Sequence, residues 1–249
     1  MESEIIIVSD SEALARLGAQ RFTLLAREAA ASRGRFTVAL SGGSTPRGMY
    51  QLLAQEPYRS QVPWAQVHFF WGDERCVPPD DPGSNYREAE EALIVHVPIP
   101  AENVHRIQGE LPREQAVRAY SRVLEDFFCG PHVRLDLVLL GLGSDGHTAA
   151  LFPGSTALDE TARLVVGVEA QYQDRPACRV TLTLQAINTS RQILFLVSGL
   201  SKAGIVQEVL SAPQGLLPAQ RVRPTAGKLS WLMDEAAASR LQRGTAARS

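Results

Sequence analysis

The chain has 249 residues, 45% of them hydrophobic and 21% charged, with a net charge of −2. That composition excludes a disordered chain, and the length fits one large domain, here residues 1–249. No apolar run reaches the roughly 20 residues of a membrane span, and no basic block marks nucleic acid or an anionic membrane as partner.

The predicted elements alternate between strand and helix nearly throughout. Ile5–Val8 reads as a strand, residues 9–11 offer N-caps, and an Ala/Leu-rich helix follows to about Ala31. Phe36–Leu40 is a second strand, and Pro46 opens a helix. Val67–Trp71 is a third strand, Ser84–Ile94 a helix and Val104–Ile107 a short strand. Pro112–Phe128 is a long amphipathic helix, and Leu135–Leu140 a continuous, buried strand. Leu164–Val168, Val180–Leu184 and Ile193–Val197 follow as strands. Ser201–Leu210 is a helix, Leu229–Met233 a late strand and Asp234–Leu241 a closing helix. The Pro/Gly/Asp-rich stretch Val77–Ser84 reads as a mobile loop and Arg243–Ser249 as a frayed end.

Continuous apolar strands with helical crossovers predict an α/β fold. Its sheet is doubly wound and mostly parallel, with helices on both faces. The helix-poor run 164–197 leaves room for a small antiparallel edge. Ligands in such folds sit at the carboxyl ends of strands, so the loops after Leu40, Trp71, Leu140 and Val197 are the candidates.

The first loop is Ser41-Gly42-Gly43-Ser44-Thr45-Pro46-Arg47. Paired glycines allow close backbone approach, hydroxyls add donors, and a helix N-terminus favours an anion such as phosphate. It has no Gly-Lys-Ser/Thr and is not a Walker loop. The second is Trp71-Gly72-Asp73-Glu74-Arg75, followed by Ser84-Asn85-Tyr86. Three adjacent charges are commonly a solvated turn, but this turn ends a strand on the ligand side, and Arg is a fork for carboxylate or phosphate. Asn85 and Tyr86 read as packing or capping residues.

The third, Gly141 to Thr148, matches GxGxxG, yet Pro153 leaves no room for the long helix of a dinucleotide site. Leu142 also breaks the GxSxG of a hydrolase elbow. What remains is a turn presenting Asp145 and His147, a cap or a general base. The fourth, Ser198 to Lys202, carries one of only two lysines in the chain, either an ordinary exposed residue or a phosphate contact. No HxxxH, HExxH or Cys/His cluster occurs, so no metal is expected. Cys76, Cys129 and Cys178 form no CxxC and leave one cysteine unpaired, the pattern of a reducing compartment rather than a disulfide scaffold. With no basic region or cleavage site near Met1, a cytoplasmic location is expected.

Taken in order, these loops resemble the 6-phosphogluconolactonases. The likeness also runs through Leu151-Phe152-Pro153, Arg179 to Thr183 and Trp231 to Asp234. The cousin family of glucosamine-6-phosphate deaminase/isomerases carries Asp-Glu-Tyr where this chain has Asp73-Glu74-Arg75. It also has Phe-Asn-Glu-Pro where this chain runs Thr148 to Pro153. Ala150 departs from a Ser frequent in lactonases.

The resemblance implies hydrolysis of 6-phospho-D-glucono-1,5-lactone in the oxidative pentose phosphate pathway, without cofactor or metal, by a monomer or small homo-oligomer. It implies His147 as general base and Arg75 as oxyanion stabiliser, with Asp145 or Asp73 orienting one or the other. Ser41, Gly42, Gly43, Ser44 and Thr45, with Arg179 and Lys202, would hold the phosphate. The alternatives are the deaminase reaction and a silent sugar-phosphate-binding module.

Overall fold

The computed structural model describes residues 3–172, 175–211, 215–241 and 247–248. In chain order the elements are β1 (Glu4–Val8), α1 (Ser11–Arg33), β2 (Phe36–Leu40), α2 (Ser44–Leu53) and α3 (Tyr58–Gln61). Next come β3 (Val67–Trp71), β4 (Asp73–Arg75), α4 (Asn85–Ala92), α5 (Arg113–Phe128) and β5 (Leu137–Leu140). β6 (Val165–Glu169), β7 (Cys178–Leu182), α6 (Leu184–Asn188), β8 (Gln192–Val197), α7 (Ala203–Ser211), β9 (Lys228–Asp234) and β10 (Ala247–Arg248) complete the fold.

A seven-stranded parallel sheet has the order β10-β1-β9-β8-β5-β2-β3. This is the expected doubly wound α/β architecture. β2 and β5 are buried along their whole length, in keeping with their largely apolar sequences. From β2 the chain steps outward to β3, then back past β2 to β5. The order reverses between β2 and β5, and that reversal opens a crevice at their carboxyl ends.

α1 starts at Asp10, whose carboxylate accepts the Ala13 N–H, and ends at Gly34 with φ +74°. A cap of this kind stabilises a helix by about 1 kcal/mol. Asp136, ahead of β5, ties the opposite end of the sheet. Its Oδ2 accepts the Thr37 N–H and hydroxyl, each at 2.9 Å, and its Oδ1 meets Arg33.

The antiparallel strands do not form an edge of this sheet. β6, β7 and β4 make a separate three-stranded sheet, and β8, expected near that edge, lies mid-sheet and parallel. Gly72 is the branch point. Its N–H ends the main ladder on Leu40 O, and its carbonyl accepts the Leu182 N–H from β7. Val104–Ile107 is a single bridge from Val104 to Phe69 rather than a strand. Asp234–Leu241 is not a helix: Asp234 completes β9 and turns follow. Its carboxylate accepts both the Ala237 and the Gly199 N–H, which fixes a turn there.

Residues 77–84 form linked turns, with Arg75 and Arg87 donating to the carbonyls of Gly83 and Asp80. Most of 243–249 lies outside the described residues; the described Ala247–Arg248 pairs with β1. Cysteine spacing misled: Cys76 and Cys178, 102 residues apart, form a disulfide, and Cys129 is free. The antiparallel register of β4 and β7 brings them together, which spacing along the chain does not reveal. Among the described residues no helix is long and apolar enough to cross a membrane.

Candidate active site

The four loops meet in one cavity of about 220 Å³ at the carboxyl ends of the strands. Ser41 to Thr45, Asp73, Arg75, His147, Arg179 and Lys202 all line it. Asp145 stands behind His147. Every residue expected at the site is therefore at the cavity or in contact with a residue that is.

The loop after β2 is held from behind. Tyr50 Oη bridges Ser41, accepting its N–H and donating to its carbonyl. The Gly43 N–H goes to Glu88 Oε2 at 2.7 Å. Gly42 is glycine because a Cβ there would lie 1.8 Å from Asn85 Oδ1, and Gly43 because its φ is +113°. The expected close approach is thus to a side chain of the protein. α2 begins at Ser44, so Ser44 and Thr45 line the cavity at a helix N-terminus.

The loop after β5 is a tight turn in which Gly143 N–H donates to His147 O and Gly146 N–H to Gly143 O. His147 Nδ1 lies 2.6 Å from Asp145 Oδ1, which also accepts the His147 N–H. An ionised Asp145 accepts only, so Nδ1 carries the proton and the lone pair is on Nε2. The ring stacks on Phe152, centroids 4.4 Å apart, and meets Tyr172 edge-on at 4.5 Å. Burial pushes its pKa below the usual imidazole range. Asp145 and then Asp73 pull it back up, and Arg179 pushes it down. The net direction favours the neutral imidazole.

β4 and β7 bring Asp73, Arg75 and Arg179 to the cavity, with Arg75 directly across from Arg179 in the strand register. These three side chains are buried. Among the described residues Arg75 Nε, Arg179 Nε and Arg179 Nη2 have no hydrogen-bond partner. Unpaired buried guanidinium N–H groups are costly, and an anion in the cavity would satisfy them. The Asp73 side chain accepts no hydrogen bond among the described residues, although its charge acts on both His147 and Arg179. Between them, Glu74 anchors α4 to β4. Its carboxylate accepts the N–H groups of Arg75, Asn85 and Tyr86 and the Ser84 hydroxyl. Lys202 Nζ donates to Leu142 O at 2.7 Å, and the residue lines the cavity with no ion pair among the described residues.

Tyr172 and Arg175 also line the cavity and carried no sequence signal, because the β6–β7 connection has no motif. Tyr172 Oη lies 3.0 Å from Ser144 Oγ. Asn85, read as packing or capping, packs behind Gly42 and also lines the cavity: Ser84 is the cap, Asn85 Nδ2 donates to Asp73 O, and Oδ1 has no hydrogen-bond partner among the described residues. Tyr86 packs on Trp71 as expected. Among the described residues no three His, Cys, Asp or Glu side chains are grouped as metal ligands would be.

A switch-point crevice lined by a histidine, two buried arginines and a helix N-terminus defines a doubly wound α/β protein with a candidate anion site. Residues 9–231 match the family model of glucosamine-6-phosphate isomerases/6-phosphogluconolactonase. The chain is 39% identical over 202 residues to a 6-phosphogluconolactonase of Haemophilus influenzae, covering 80% of this chain and 85% of that one. It is 37% identical to a 6-phosphogluconolactonase of Mycobacterium leprae, covering 97% and 99%. The solved 6-phosphogluconolactonase of Trypanosoma brucei superposes with a TM-score of 0.86 at 30% identity, covering 97% and 99%. The chain belongs to the glucosamine-6-phosphate isomerase/6-phosphogluconolactonase family.

Proposed function

We infer that this chain hydrolyses 6-phospho-D-glucono-1,5-lactone to 6-phospho-D-gluconate, the lactonase step of the oxidative pentose phosphate pathway. The observation that carries the mechanism is the Asp145–His147 pair at a cavity that Arg75 and the first residues of α2 also line. His147 Nε2 takes a proton from water as the water oxygen bonds to C1. General-base help of this kind is worth about 10²–10⁴-fold. The carbonyl oxygen becomes an oxyanion, and Arg75 stabilises it by roughly 3–4 kcal/mol. When the intermediate collapses, the bond from C1 to the ring oxygen breaks and the imidazolium returns its proton to that oxygen. Asp145 orients the base, and the buried carboxylate of Asp73 stabilises the imidazolium.

The phosphate sits against Ser44 and Thr45, with Ser41, Gly42 and Gly43 shaping the loop and Lys202 and Arg179 supplying charge. It is remote from C1, so these contacts set affinity and position more than chemistry. The protein acts on this small molecule in the cytoplasm, as a monomer or small homo-oligomer, with neither nucleic acid nor membrane as partner.

The test is hydrolysis of freshly generated lactone, with the spontaneous rate subtracted and His147→Ala run beside the parent. Turnover by the parent that the variant loses is expected. No turnover above background by the parent would overturn the reading, and ammonia release from glucosamine 6-phosphate would then identify the deaminase reaction.

A further inference from the structure

We propose that Cys76 and Cys178 form a reversible dithiol–disulfide site that holds the two cavity arginines in place. Arg75 and Arg179 are directly opposed residues of antiparallel strands, both buried. Like charges across a strand pair repel, and their burial in a low dielectric strengthens the repulsion. The ladder between β4 and β7 offers little to resist it, being only three residue pairs long and ending at the arginine pair. Cys76 and Cys178 are the next rung. The Cys76 N–H donates to Cys178 O at 3.0 Å, and the sulfurs are joined. Beyond Cys76 the chain turns away into residues 77–84.

The covalent link therefore closes the ladder where repulsion would fray it, one residue from each arginine. Both cysteines are half-buried, so an incoming thiolate can reach the bond, and only Cys129 is left as a free thiol. In a reducing compartment this bond is open to exchange with a protein dithiol or glutathione. The S–S bond breaks, two electrons pass to the cysteines and two protons are taken up. The donor thiols become a disulfide. The dithiol form retains the strands but frees the end of the ladder, so Arg75 and Arg179 lose their fixed separation. The inference rests on the proposed reaction for its activity readout.

The experiment compares the oxidised chain, the chain after dithiothreitol, and Cys76→Ser, Cys178→Ser and Cys129→Ser. Thiols counted in denaturant should number one before reduction and three after. Reduction should lower kcat/KM for the lactone roughly tenfold, the scale expected when site groups shift by less than an ångström. Cys76→Ser and Cys178→Ser should match the reduced parent and ignore dithiothreitol, and Cys129→Ser should respond as the parent does. Affinity for inorganic phosphate, read calorimetrically, should weaken on reduction. It supplies the answer even if the oxidised parent shows no turnover, an outcome that would sink the lactonase reading alone. Three thiols in the oxidised chain, or kcat/KM and phosphate affinity both unchanged while the count rises from one to three, would overturn the proposal.

Discussion

The imidazole of His147 fills the space that a side chain on Gly143 would need. A Cβ on Gly143 would lie 2.0 Å from His147 Nδ1 and 2.7 Å from Asp145 Oδ1, while the Gly143 N–H donates to His147 O at 2.8 Å. The glycine both closes the turn and clears the volume in which the Asp145–His147 pair forms. Its place in a GxGxxG pattern thus reflects packing against a histidine rather than against a pyrophosphate.

Gly143→Ala should therefore act as a lesion of His147 placement. A displacement of about 1 Å costs on the order of 10²-fold in rate. We expect kcat to fall by that order with KM within a few-fold and the circular dichroism spectrum unchanged. A variant with parental kcat would show that the dyad needs no such clearance.

The pH profile has a definite sign. The base must be neutral, and burial holds His147 below its ordinary 6.5. Accordingly kcat/KM should be flat at neutral pH and fall only as pH drops through a value under 6.5. Asp145 raises the His147 pKa. Asp145→Asn should move the acid limb to still lower pH, and it should lower the plateau because the ring loses the partner that keeps its proton on Nδ1. An acid limb that stays where it is would remove Asp145 from the titrating pair.

Phosphate and oxyanion contacts should separate kinetically. Lys202→Ala removes a charged donor worth about 1.5–3 kcal/mol, so KM should rise roughly 10–100-fold with kcat little changed. Arg75→Lys should instead lower kcat, since a point charge does not reproduce the planar fork. Steady-state kinetics on fresh lactone distinguishes the two. Equal effects of both variants on KM alone would place Arg75 at the phosphate.

Glu74 is a prediction about stability. Burial raises its pKa above the ordinary 4.5 even though four donors serve the carboxylate. The folded state then binds its proton more readily than the unfolded one, so this group lowers stability as pH rises from 4.5 through the folded value. Glu74→Gln should erase that slope. It should also cost about 1–3 kcal/mol at neutral pH, because an amide oxygen cannot serve all the donors. Urea midpoints of both proteins across that pH window give the answer, and an undiminished slope in the variant would assign it to another group.

Local pattern carried most of the strands, because β2, β3, β5 and β8 are mostly buried and read as predominantly apolar runs. It carried the glycine turns for the same reason, since Gly43 and Gly146 hold positive φ values that other residues resist. It failed where a distant partner decides the outcome. Asp234 looked like a helix start and is instead the acceptor that holds Gly199. Asn85 read as packing or capping, and only the fold shows that it packs against Gly42. Tyr172 and Arg175 reach the cavity only because β6 and β7 fold over it as a second sheet.

The sequence by itself determined an α/β chain, the parallel strands and the four loops that follow them. Those are consequences of hydrophobic periodicity and of backbone conformations a few residues long. Tertiary structure alone decided that Asp145 rather than Asp73 holds His147, that Arg75 faces Arg179, and that Cys76 meets Cys178. Each of the last two is a pairing across about a hundred residues. It is fixed by strand register, and register is set by the whole sheet rather than by any segment of the chain.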